Sequence, residues 1–208
     1  MPNSMSAANL AAIAQRRLFP RDFLWVTATR YSDGVEVAQG FWSDAGDISA
    51  EIFNPDTNAN EIRFFHGVGT LISISTLADV SNLTIQELEI AIPPEEAFGQ
   101  DLLRVYDLRR AKVEIYRGFL DPATRRLVGP ADPRFLGFID EVEEDEDDAG
   151  NTTGVAKCVS FTQELTRSNP DTRSDDSQRL RSATDDFLAD VSTVGDWSLF
   201  WGQNSGVA

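Results

Sequence analysis

Between Phe23 and Leu165 the chain is a series of short runs rich in β-branched and aromatic residues, several with strict apolar–polar alternation, each closed by a cluster of turn formers. A period of two puts successive side chains on opposite faces, so these runs are confined to strands, and their number points to a barrel or sandwich. Phe23–Thr29 opens the series, Ser32-Asp33-Gly34 breaks it, and Val35–Ala38 can pair back as a hairpin. Turns follow at Asp44–Asp47 and Asn54–Asn58, then a strand at Glu61–Phe65, a turn or bulge at Gly67-Val68-Gly69, and alternation again at Leu71–Ser75. In Leu83–Ile92, residues Leu88, Ile90 and Ile92 share one face, whereas Leu83 and Ile85 have the opposite parity. A break near Gln86–Glu87 is expected. Past Pro93-Pro94 the period changes: Phe98, Leu102, Val105 and Tyr106 predict one short inserted helix over Glu95–Asp107. Strands resume at Ala111–Phe119 and Arg134–Val142, with a return strand at Val155–Leu165. The acidic run Asp140–Asp148 reads as lying in or beside the turn of that last hairpin.

Three segments follow from these boundaries. Residues 1–20 form an N-terminal arm or a short helix with Ser6 as its N-cap, residues 21–166 the β-rich domain, and residues 167–208 a C-terminal arm. That last arm begins with a stretch lacking apolar residues, has weak helical character over Ser177–Val191, and ends in Trp197-Ser198-Leu199-Phe200-Trp201. Large apolar residues beside a terminus either fold back on the β domain or bury themselves in a neighbouring subunit. Trp197, Leu199, Phe200 and Trp201 are therefore the candidate inter-subunit contacts. The start of the chain lacks a basic leader followed by an apolar stretch, and nowhere do 18 apolar residues run together. The expectation is a soluble chain without a signal peptide or membrane span.

Composition removes most chemistries. With 34 acidic against 18 basic residues the net charge is −16, which argues against gripping phosphate backbones or anionic membranes. One cysteine, Cys158, excludes an internal disulfide and any cysteine-based metal or redox site. His66 is the only histidine, at a strand end beside a glycine and without a GxSxG elbow, so nucleophile–histidine catalysis has no support. Gly67-Val68-Gly69-Thr70 lacks the GK[ST] ending of a phosphate loop. The acidic run lacks the spacing of a calcium loop. No catalytic residue, cofactor or metal ligand is assigned. Two other readings remain: a carbohydrate- or receptor-binding module using Trp25, Trp42, Trp197 and Trp201 as stacking platforms, and a hydrolase using a pair of carboxylates.

The order of these pieces resembles the tail-tip (baseplate) hub proteins of long-tailed bacteriophages and gene transfer agents. The resemblance rests on the alternating strand ending at Ile92, the Pro93-Pro94-Glu95-Glu96 helix start, the block Ala111-Lys112-Val113-Glu114-Ile115-Tyr116, and the strand through Gly137-Phe138-Ile139-Asp140. Ser174–Arg179 through Trp201-Gly202 resembles the ending of such tail proteins, so the likeness spans about Leu18 to Gly202. It departs in one respect: a single cysteine cannot supply the iron–sulfur cluster of the lambda-type branch. The resemblance implies a virion protein at the distal end of the tail, with a barrel- or sandwich-like hub domain that oligomerises as a trimer, or as a hexamer if it is a distal tail ring protein. Its partners would be the distal tail ring, fibre or receptor-binding proteins and the tape-measure protein.

Overall fold

A computed structural model describes residues 5–69, 73–77, 84–92, 102–146, 152–168 and 171–194. Helix α1 (Ala7–Gln15) is capped by Ser6, whose Oγ accepts the Asn9 N–H at 3.2 Å, and it ends on Arg16 in the left-handed region. The strands are β1 (Phe19–Arg30), β2 (Glu36–Trp42), β3 (Ile48–Asn54), β4 (Ala59–Gly67), β5 (Ser73–Ile74), β6 (Glu87–Ile92), β7 (Tyr106–Leu120), β8 (Asp132–Glu146) and β9 (Thr152–Ser160). They form one mixed sheet in the order β3-β4-β2-β1-β7-β8-β9-β6-β5. The fold is mainly β and sandwich-like. Two compact units divide the chain, Met1–Thr166 and Arg167–Ala208.

Alternation along β1 and β7 builds a core on each face of the sheet. Leu24 and Val26 of β1 stand opposite Ile115 and Val113 of β7 and point to the larger core. There they join Phe41, Val68, Leu88, Ile90, Phe135, Ile139, Ala156 and Cys158. Leu24, Phe41 and Val68 line one small gap with Ile74 of the terminal strand β5, so that end of the sheet curls back towards β1 and β2 around this core. The other parity, Phe23 and Trp25 opposite Tyr116 and Glu114, faces outward. It is covered by the β3–β4 hairpin, which contributes Ala50, Ile52 and Phe65 to a second core with Phe23, Trp42, Tyr116, Leu120 and Ala131. Phe23 stacks on Trp42 at 5.6 Å and meets the Phe65 ring edge-on at 5.0 Å.

Main-chain attachment of that hairpin is sparse. It pairs in parallel with β2 only at Phe41–His66 and Trp42–Gly67. On its other edge Phe53 N–H donates to Ala131 O at 3.0 Å, and Ala131 N–H donates to Glu51 O at 2.8 Å. Gly40 permits the close approach, because a Cβ there would lie 2.4 Å from Phe64 O and 2.8 Å from the Trp25 ring.

The structure changes two expectations about elements. Most of the acidic run is strand rather than turn: β8 continues through Glu146, paired with β9 from Gly137–Ser160 to Glu146–Thr152, and Asp147 and Asp148 lie outside the described residues. The predicted helix is helical at residues 102–104, but Tyr106 and Asp107 already belong to β7. Its Phe98 lies outside the described residues, as does Leu83. Strand β6 begins at Glu87, at the expected break. In the second unit, helix α3 (Asp175–Arg181) is capped by Ser174, with acids in its first turn and arginines in its last, and α4 spans Val191–Val194. The short α2 (Thr162–Thr166) closes the first unit.

Candidate functional site

Three residues of β7 and two of β4 create the most concentrated chemistry among the described residues. Glu114 is only 2% exposed although it carries a carboxylate. Alternation places Lys112, Glu114 and Tyr116 on the outward face of β7, beneath the β3–β4 hairpin. Arg63 of β4 points inward and forms ion pairs with both Glu114 and Glu61. Lys112 Nζ lies 2.7 Å from Glu114 Oε1 and also pairs with Asp56 in the hairpin turn. The Tyr116 hydroxyl donates to Glu114 Oε2 at 2.7 Å. The Arg63 guanidinium lies over the Trp25 ring at 4.7 Å and near that of Tyr116 at 5.8 Å.

Electrostatics shift four groups of this cluster, Arg63, Lys112, Glu114 and Tyr116. Burial pushes the Glu114 carboxyl up, but hydrogen bonds from Lys112, Arg63 and Tyr116 outweigh it and leave the pKa below the ordinary glutamate value. Burial and the Glu114 carboxylate push the Tyr116 phenol well above its usual value. Burial alone would lower the values of Arg63 and Lys112, yet their carboxylate partners raise both. A carboxylate so saturated with donors has no tendency to take up or release a proton near neutrality. The cluster is a clamp: it ties the hairpin to the sheet with charge-assisted bonds where main-chain pairing is thin.

The sequence-derived candidates fall elsewhere. Trp197, Leu199, Phe200 and Trp201 lie outside the described residues. His66 sits at the exposed end of β4, with Nδ1 3.4 Å from Asp47 Oδ1 and its ring edge-on to Phe64 at 4.9 Å. Cys158 is fully buried in the larger core, where burial pushes its thiol up to about 12. Trp42 is buried and donates its indole N–H to Gly46 O at 2.6 Å, and Trp25 is covered by Arg63 and Phe65. Neither offers a free face to a sugar. No group of three or more potential metal ligands occurs among the described residues. Glu141 and Glu143 of the acidic run share Lys157 of β9, at 3.2 Å and 2.6 Å.

The Arg63–Glu114 clamp was not legible as a site. Its only sequence signal is charged Lys112 and Glu114 alternating with Val113 and Ile115, which reads equally well as a solvated strand face. Comparison with protein-family models and with curated sequences finds no match. No helix among the described residues is long and apolar enough to cross a membrane.

Proposed function

We propose that this protein is a structural component of a phage or gene-transfer-agent tail tip, a ring-forming hub. In this reading it joins the distal tail ring to receptor-binding or fibre proteins and meets the end of the tape measure. One observation carries the reading: three of the segments that bear the resemblance form a contiguous part of the sheet. Ala111–Tyr116 lies in β7, Gly137-Phe138-Ile139 lies beside it in β8 with Val113 opposite Gly137, and Leu88–Ile92 in β6 reaches β8 through β9. Segments far apart in sequence that share one sheet behave as parts of a single domain, as the reading requires. The buried charges support a mechanical role, since the clamp saturates its carboxylate instead of presenting it to a substrate.

Mass photometry of the purified full chain, alone and with its tail partners, tests the reading. A closed ring of three subunits is expected, and six would identify the distal-ring variant. A monomer that persists after mixing with tail proteins contradicts it.

A further inference from the structure

The outer face of the β3–β4 hairpin is apolar and uncovered. Arg63 and Phe65 of β4 face the sheet, so the alternate residues Ile62, Phe64 and His66 face away from it. Ile62 is 76% and Phe64 48% exposed, and the Phe64 ring meets that of His66 edge-on at 4.9 Å. Half-buried Phe53 of β3, opposite Asn60, extends the patch. The clamp fixes this parity, because turning Ile62 and Phe64 inward would take Arg63 away from Glu114. The exposure is built into the hairpin.

One segment of the chain has matching chemistry. In Trp197-Ser198-Leu199-Phe200-Trp201, an extended backbone would put residues 197, 199 and 201 on one side, about 6.6 Å apart. Ile62, Phe64 and His66 repeat at the same interval along β4. The segment carries no charge that would have to be desolvated on an apolar face. Residues 167–196 separate it from the end of the β-rich unit, and even with α3 and α4 helical they span up to roughly 80 Å. A neighbouring subunit is within that reach. Within its own chain the hairpin face stays bare, so its cover comes from a second copy.

We infer that the Trp197–Trp201 segment of one copy docks on the Ile62–Phe64–His66 face of the next. The two patches differ, so the contact is head-to-tail and repeats around a closed ring. This inference rests on the hub reading above and names the surface that receives each C-terminal segment.

Cysteine cross-linking of the full chain tests it. Native Cys158 is buried, with its thiol pushed up to about 12, so a bismaleimide reaches only thiols placed at the interface. Ile62→Cys and Leu199→Cys chains, mixed before assembly, should give a covalent dimer, and neither variant alone should. The double variant Ile62→Cys/Leu199→Cys should give covalent species up to the closed ring. A ring-forming mixture without covalent dimers, dimers from either variant alone, or a double variant linked only within single chains would overturn the interface. Ile62→Asp/Phe64→Asp tests the same face without a cross-link. Both side chains are exposed, so the β circular-dichroism signal should stay while the concentration needed for assembly rises on the order of 100-fold. Assembly at the wild-type concentration would overturn this interface and leave the hub reading intact. A wild-type chain that stays monomeric, even with tail partners present, would overturn both.

Discussion

Arg63 lies between Ile62 and Phe64, so hydrophobicity alone would turn those two neighbours inward. The structure does the reverse: Ile62 is 76% exposed, and Arg63 with Phe65 faces the sheet. The Glu114 carboxylate beneath decides the parity, because a buried anion without a cationic partner is far costlier than an exposed isoleucine. Replacing Arg63→Met should therefore cost about 3 kcal/mol in urea unfolding, because it strips the buried Glu114 of a main cationic partner. The same clamp sets an acid limit. Glu114 has a folded pKa below the ordinary value of about 4.5, so its contribution is present above that value and is lost as pH falls through the lower one. In Glu114→Gln this part of the acid-side slope should disappear from urea midpoints measured across pH 2–6. Asp132 has the opposite sign: burial raises its pKa despite the Asn9 hydrogen bond, so its ionised form is a liability above the raised value. Cys158, at about 12, should resist thiol reagents in the native state and react at once in denaturant. Rapid native labelling would show that the larger core opens.

At the scale of elements, the strands most visible in the sequence are those whose two faces differ in chemistry. Leu88, Ile90 and Ile92 alternate with Glu87, Glu89 and Ala91, and β6 forms with that parity. The cap at Ser6 was equally legible, because a hydroxyl before Ala-rich residues has one obvious use. The extension of β8 was not. Eight acids in nine positions look like a solvated turn, and only tertiary partners, Lys157 between Glu141 and Glu143 and Arg104 on Glu144, show how part of the run is held. Lys157→Gln should lower the melting temperature at low ionic strength, with the deficit shrinking in high salt as the carboxylates are screened. An equal deficit at both salts would point to packing instead. The hairpin β3–β4 depends on Gly40 for its close approach to Trp25 and Phe64. Gly40→Ala should cost about 1–3 kcal/mol by forcing the hairpin outward, and hydrogen exchange should accelerate first at β3 and β4.

For the whole molecule, the net charge of −16 is unevenly distributed. The eight acids of Asp140–Asp148 account for half of it, while α1, followed by Arg16 and Arg17, is anchored through Asn9 near the start of β8. Copies can associate despite this global charge, because local complementarity acts within a Debye length of about 10 Å while distant like charges are screened. The large apolar residues Trp197, Leu199, Phe200 and Trp201 belong to the same question. Deleting Trp197–Ala208 should leave the β circular-dichroism signal intact and abolish assembly; undiminished assembly would remove them as subunit contacts. The central claim, a structural place at the distal end of a tail, is tested most directly by electron microscopy of tailed particles carrying a gold-labelled copy of this subunit. The account predicts label confined to the tail tip. Label spread along the tube, or particles that assemble complete tips without the subunit, would contradict it.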